Sequence, residues 1–468
     1  MPKLPTKPVT ILHTSDWHLG RRLYGRMRYE EFEAFLAWLE ETIRLREVDI
    51  LLVAGDIFDT MTPSNRAQNL YYDFLGNMAQ TDCQHIVIVA GNHDSPTFLD
   101  APSQLLKCLN VHVIGTACDD LNDEVLLLPD KNGEPCCIIA AVPYLRDRDV
   151  RSSGAGESMD SKDANVISGI RAHYDGVAMI AKARQQRLHK AHNRYVPIIA
   201  TGHLFAAGST IAANPHSLTH QEPSNEPSNQ EINNQALSNQ ALRTDDDGVR
   251  DLYVGNLGKI SADMFDDCFD YVALGHLHVP QRVGGCEHIR YSGSPIAMGF
   301  GESKQQKQVL LVQYDSACNK HNYKHNHKHN RHISCVAIPC FQPLAQVSGD
   351  MQTIKATIQA LTTGRALEEP IWLEVSYTGE DIVANLREQV AAITDGLACE
   401  VLISKNQSTY HKILNQELAS ETLQDLHELE VFERCLTLNA ITDAQKPRLR
   451  DAYEQILYAI YHDDHRAQ

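Results

Sequence analysis

The chain has 468 residues, too many for one compact core, so two or three domains are expected. Hydrophobic residues make up 43%, enough for a sizeable interior, yet no run nears the ~18 apolar residues of a membrane-crossing helix, and no membrane association is expected. The formal net charge of −18 argues against a general polyanion binder, but leaves room for an enzyme whose bound dications reverse the local field or whose partner supplies basic surface.

The 12 cysteines include no CxxC pair, which disfavours a disulfide framework or a zinc ribbon and suits reduced thiols. Met1 to Pro8 lack the apolar core of a secretory signal, and the cytoplasm is the expected compartment.

Short runs rich in Val and Ile at 9–14, 50–54, 86–90, 138–142, 198–201 and 271–274 are continuous in apolar character, as strands covered on both faces are. Between the first two, Phe32, Phe35, Leu36, Leu39 and Ile43 form the stripe of an amphipathic helix over 29–46. Ser64 is placed to cap a helix running towards Met78. The alternation predicts an α/β layered domain.

Residues 208–247 are rich in Asn, Gln, Ser and Pro and cannot offset the entropy of ordering, so they read as a loose insertion. His321 to His332 (HNYKHNHKHNRH) reads as a polar hairpin tip rather than a chelator. From residue 333 to about 408 the pattern restarts, with a helix at 351–361, a strand at 371–377, a helix at 380–393 and a strand at 400–404. The tail, 416–461, reads as two helices. One carries Leu423, Leu426, Leu429, Phe432 and Leu436; the other carries Leu449, Tyr453, Ile456, Leu457 and Ile460. Such stripes either pack on their own domain or receive a partner helix, and the pattern alone does not choose.

Two basic clusters stand out. Lys182, Arg184, Arg187, Lys190 and Arg194 sit in a helix-like stretch and read as a solvated face. Arg21, Arg22, Arg26 and Arg28 follow a ligand-like motif, and contact with nucleic acid and a structural role weigh equally there.

Five of the six candidate strands end in groups that bind metals: Asp16 and His18; Asp56 and Asp59; Asn92, His93 and Asp94; His203; and His276 and His278. Ligands gather at the carboxyl ends of strands in α/β sheets, so these groups should converge. Two ions a few ångströms apart activate water and neutralise charge in phosphodiester hydrolysis, and they need a bridging carboxylate with His, Asp or Asn on either side. Mixed carboxylate and imidazole ligation suits manganese, iron or zinc better than calcium or magnesium. Singly each motif has an ordinary reading, since DxH often caps a helix and GD marks a turn. Five in order, each after an apolar strand, do not.

The order DxH, GDxxD, GNHD, GH, GHxH resembles the signature of calcineurin-like metallophosphoesterases. HTSDWHLG (13–20), VAGDIFDT (53–60), AGNHDS (90–95), IIATGHL (198–204), YVALGHLH (271–278), RYSGSPI (290–296) and VFERCL (431–436) resemble the bacterial SbcD family, nuclease partners of the ATPase SbcC. The resemblance covers nearly the whole chain and departs at the two low-complexity segments.

It implies an α/β fold: a layered β-sandwich flanked by helices over 1–316, an insertion at 317–332, a small α/β capping domain at 333–408, and C-terminal helices at 409–468 that grip the root of the SbcC coiled coil. It implies two divalent ions, manganese first, one held by Asp16, His18 and His278, the other by Asn92, His203 and His276, with Asp56 bridging. His93 would be catalytic, lying over the scissile phosphate and protonating the leaving oxygen, and Asp59 would orient it. The implied assembly is two of these chains, as a homodimer, with two SbcC. The implied activities are ATP-dependent double-strand exonuclease and hairpin-opening endonuclease, in DNA repair, replication and recombination. Two rivals remain: a small-molecule phosphatase or phosphodiesterase on the same fold, and a non-catalytic scaffold, whose hallmark would be a degraded ligand set.

Overall fold

The computed structural model describes residues 9–150, 159–192, 195–206, 260–314, 331–381, 383 and 385–407, and only scattered positions beyond. The expected insertion at 208–247, most of the His-rich tract and the expected helices of the tail lie outside the described residues. Among the scattered positions described there, Phe432 and Tyr453, one from each predicted stripe, stack with ring centroids 4.0 Å apart.

The chain divides into two compact units, one of residues 1–347, 358–375 and 394–403, the other of 348–357, 376–393 and 404–468. The larger unit holds two six-stranded sheets. The first runs, in spatial order, Arg331–Ala337, Gln308–Tyr314, Val9–Thr14, Ile50–Ala54, His85–Val89 and Val111–Ile114. The second runs Gln281–Arg282, Ile289–Tyr291, Tyr271–Gly275, Ile198–His203, Pro135–Ala140 and Val125–Pro129. The last four strands of the first sheet are mutually parallel, as are the second to fifth strands of the second.

Alternation along each strand builds the layers. Ile50 and Leu52 join Ile11, Val87, Ile139, Ile199 and Ala273 in the core between the sheets. Leu51 and Val53 face the other way, onto Phe32, Phe35, Leu39, Tyr71 and Phe74. Those residues belong to helices Tyr29–Leu45 and Asn65–Met78. On the second sheet's outer face, Ile138, Ile198 and Val272 pack with Tyr174, Val177 and Ala181 of helix Met159–His192. Four layers result, and every central strand is buried on both faces, hence its continuous apolar run.

The predicted strands recur within a few residues, 9–14 and 50–54 with the same bounds. Ser64 caps its helix, its hydroxyl accepting from the Ala67 amide at 3.2 Å. The expected domain start at 333 falls inside strand Arg331–Ala337, which pairs with Gln308–Tyr314 in the first sheet. A third, three-stranded sheet starts only at Leu344, in the order Leu344–Gly349, Ile371–Tyr377, Cys399–Asn406. The helix expected at 380–393 begins later, at Leu386.

The described cysteines are free thiols. Among the described residues no helix is long and apolar enough to cross a membrane.

Candidate metal centre

The parallel strands of both sheets point their carboxyl ends to one place. The loop after Val9–Thr14 runs beside the loop after Ile50–Ala54, with Asp16 N donating to Gly55 O, His18 N to Asp56 O and Leu19 N to Ile57 O, each at 2.9 Å. The second sheet closes in from the other side: a Cβ on Gly275 would stand 1.8 Å from the Ala54 carbonyl oxygen, and one on Gly55 2.2 Å from His203 Nδ1. Only glycine admits that approach, which explains the glycine beside these ligands. Asp16, His18, Asp56 and His276 have φ values of 54°, 49°, 51° and 98°, left-handed conformations that side chains with a Cβ seldom adopt. Strain of about 1–3 kcal/mol at each such residue concentrates where geometry serves function.

The side chains converge. Asp16, His18 and His278 bring ligand atoms within 4.8 Å of one another, as do Asp16, Asp56 and His203. His18 Nε2 lies 3.1 Å from His278 Nε2 and 3.5 Å from Asp56 Oδ2. His203 Nε2 lies 3.2 Å from Asp56 Oδ2. Asn92 Oδ1 lies 3.0 Å from both His203 Nε2 and His276 Nδ1. Asp56 therefore stands between the two groups, within reach of His18 on one side and His203 on the other.

His93 reaches the centre differently. Its amide donates to Asp56 Oδ1 at 2.9 Å, its ring lies 4.9 Å from that of His18, and its Nδ1 is 2.9 Å from the main-chain carbonyl of Asp59. The Asp59 carboxylate turns instead to Arg21, at 3.1 Å, and to His18 Nδ1, at 3.4 Å. The Arg21 guanidinium and the His18 ring draw it there, so its hydrogen bond to His93 is through backbone.

The electrostatics fit cations. Burial alone would push every charged form out of this pocket. Burial and the neighbouring Asp56 raise the Asp16 carboxyl, against the pull of His203 and His18. For Asp56, burial is outweighed by His203, His18 and His93, which hold it well below the usual carboxylate range. Burial opposes a charge on His203, yet Asp56 and Asp16 lift it to about 9; Asp59 and Asp56 likewise lift His18. The remaining two stay neutral: burial and charged His203 lower His276 to about 3, and burial and His18 hold His278 well below its ordinary value. Two buried carboxylates thus call positive charge onto neighbouring nitrogens. Divalent ions would supply that charge directly, and the mixed oxygen and imidazole donors suit manganese, iron or zinc.

Residues outside the expected ligand and catalytic set support it. Asp94 is fully buried and its carboxylate accepts from the amides of Gly91, Phe58 and Ile57 at 2.8, 2.9 and 3.2 Å, tying the GNHD loop to the GDxxD loop. Burial and Asp56 still push it up to about 6. Ser15 Oγ donates to Asp16 Oδ2 at 2.5 Å and lies 2.8 Å from Ser292 Oγ. Both sit inside stretches already noted, Asp94 in GNHD and Ser292 in RYSGSPI, but the pairing of Ser292 with Ser15, 277 residues earlier, is a tertiary contact.

The first basic cluster is largely structural. Arg28 is buried, donating to Glu31 Oε2 at 2.8 Å and to the Ala297 carbonyl at 2.7 Å. Arg21 holds Asp59, and Arg26 reaches Glu400 at 3.3 Å and lies 6.0 Å from the Trp372 ring centre. Only Arg22 and part of Arg26 are exposed. In the second cluster Lys182 pairs with Asp266 at 2.6 Å and Arg184 bonds the Val125 and Asn122 carbonyls, while Arg187 and Lys190 are exposed.

Comparison with known proteins agrees with this geometry. Residues 9–150 match the calcineurin-like phosphoesterase family, and residues 340–440 match SbcD_C, described as the type 5 capsule protein repressor C-terminal domain. The SbcD subunit of the nuclease SbcCD from Escherichia coli K12 is 33% identical over 451 residues, 96% of this chain and 98% of that protein. Its namesake in Rhodobacter capsulatus is 33% identical over 308 residues, covering 64% of this chain and 65% of the relative. That of Bacillus subtilis is 30% identical over 306 residues, 64% of this chain and 65% of that protein. The chain belongs to the SbcD family of SbcCD nucleases, metal-dependent phosphodiester hydrolases whose catalytic part is a calcineurin-like phosphoesterase domain.

Proposed function

We propose that this chain cleaves double-stranded and hairpin DNA with two divalent ions, manganese first, as the nuclease partner of an SbcC-type ATPase. The observation that carries the reading is the convergence of seven donor side chains, Asp56 at their centre, from five strand ends. Asp16, His18 and His278 would hold one ion, Asn92, His203 and His276 the other, and Asp56 both. When bound, the pair lowers the pKa of water and neutralises charge on the phosphoryl group.

The chain's own residues do the rest. Asp94 and the paired loop amides fix the ligand loops before substrate arrives, so little reorganisation is needed. His93 gives Nδ1–H to the Asp59 carbonyl, which leaves Nε2 as the atom to meet the phosphate and to protonate the leaving oxygen. Asp59 serves His93 through that carbonyl and His18 through its carboxylate.

The chain has no GxxxxGK[ST] loop, so ATP would bind the partner. Double-strand ends would be degraded exonucleolytically with ATP and hairpins opened endonucleolytically, in DNA repair, replication and recombination in the cytoplasm. A complex of two and two, with a capping domain at 333–408 and the tail gripping the partner's coiled coil, completes the reading. The scaffold alternative would need missing ligands, and every ligand position is filled.

Replacing His93 by Ala should abolish DNA cleavage with little loss of bound metal, whereas Asp56→Ala should lose both. Metal content by elemental analysis, beside cleavage of linear duplex and of a small phosphodiester with partner added, checks this. A His93→Ala protein that cuts DNA at the native rate would remove His93 from catalysis. Cleavage of the small ester alone would favour the phosphatase alternative.

A further inference from the structure

Beneath His278 lies a buried ion pair for which the proposed chemistry has no use. Lys307 and Glu302 expose 7% and 8% of their side chains, and Lys307 Nζ stands 2.5 Å from Glu302 Oε2. The ammonium also donates to Ser294 Oγ at 3.0 Å and to the main-chain carbonyl of His278 at 3.2 Å. That carbonyl accepts from the Ser294 amide as well, at 3.2 Å, so the His278 backbone is held from two directions. Glu302 Oε2 accepts from the Met298 amide at 3.0 Å, which fixes the carboxylate. Its other oxygen, Oε1, faces His278 Nδ1 at 3.8 Å, while Nε2 of the same ring faces His18 at 3.1 Å.

A buried pair of this kind adds little net stability, because desolvation offsets its attraction, and apolar replacements of equal volume are often as stable. Position is what it supplies. Histidines that ligate metals commonly turn their second nitrogen to a carboxylate, which sets tautomer and ring orientation. We propose that Glu302 and Lys307 are positioning residues for the ion held by Asp16, His18 and His278: Lys307 anchors the His278 main chain, and Glu302 turns the ring so that Nε2 meets the ion. This deepens the two-ion reading and rests on it. Neither residue belongs to a ligand motif; both come from the chain after the last ligand, 24 and 29 residues past His278.

Manganese titration followed by electron paramagnetic resonance tests this on the full chain. The native protein is expected to bind two ions. Glu302→Gln should weaken one of them by about 10- to 100-fold and leave the other at native affinity. Glu302→Asp, which keeps the charge beside Lys307 but withdraws it from the ring, should weaken the same ion while circular dichroism remains native. Equal native affinities in both folded variants, or equal weakening of both ions, would overturn the proposal. A native protein that binds fewer than two ions would overturn the two-ion reading instead. Should the variants not fold, histidine-selective nuclear magnetic resonance of the zinc-loaded native protein decides. A His278 ring coordinated through Nε2 with Nδ1–H retained supports the proposal, and coordination through Nδ1 refutes it.

Discussion

Arg28 illustrates how charge in a sequence divides between function and structure. It follows the DxH loop and could as well have faced DNA, but its guanidinium is enclosed by Glu31 and the Ala297 carbonyl. Burial raises the Glu31 carboxyl while Arg28 opposes the rise, so removing the arginine strands a buried acid. Arg28→Ala is expected to cost about 3–5 kcal/mol in urea unfolding, the range for breaking a buried pair from one side. The salt dependence of DNA binding by the folded fraction should stay native, since no phosphate contact is lost. A reduced salt slope would return Arg28 to the DNA interface.

At the scale of elements, strands carry the ligands on their carboxyl ends and structural histidines elsewhere. His85 opens one strand of the first sheet and His112 lies on its neighbour, with His112 Nε2 3.4 Å from His85 Nδ1 and His85 Nε2 2.8 Å from the Pro129 carbonyl. Burial, then the neighbours His85 and Lys107, lower His112 from 6.5 to about 4. A histidine whose folded pKa lies below its unfolded one favours the fold while neutral. Its contribution is therefore complete above pH 6.5 and is lost as pH falls through the window down to about 4. His112→Gln should flatten the fall in unfolding free energy across that window relative to the native chain, measured by urea titration at several pH values. An unchanged slope would show that the pair does not set acid stability.

The loop from Asp16 to Arg21 leads into a short hairpin, Arg22–Leu23 with Arg26–Met27, which precedes helix Tyr29–Leu45. Leu23 packs with Phe300, Leu344 and Trp372, and Tyr24 stacks on Phe300 at 5.8 Å. Phe300 lies two residues before Glu302, so one apolar cluster joins this hairpin, the His278 support and the start of the third sheet.

For the whole molecule, the net charge of −18 and a polyanionic substrate are reconciled only locally. Two carboxylates and five nitrogen or amide donors in a buried pocket form the proposed cation site, and cations bound there would stabilise the folded state by mass action. Manganese at about 100 times its dissociation constant should add about 2.7 kcal/mol to native stability per ion, seen as a rise in thermal midpoint that a chelator reverses. Asp56→Ala should lose most of that rise. A midpoint indifferent to both manganese and chelator would show that the pocket does not bind ions in the fold.

Sequence by itself determined the layered α/β class and the central strands, and it named nine candidate site residues that the fold brings together. Strands buried on both faces must be continuously apolar, and ligands on strand ends must follow them, so both facts are written along the chain. The tertiary structure decided what depends on contacts between distant segments. Asp59 meets His93 through its carbonyl because Arg21 and His18 compete for its carboxylate. Strand Arg331–Ala337 joins the first sheet because an antiparallel partner ends at Tyr314. Glu302 and Lys307 reach His278 only when the two sheets close, and no local pattern marks a residue whose partners lie so far away.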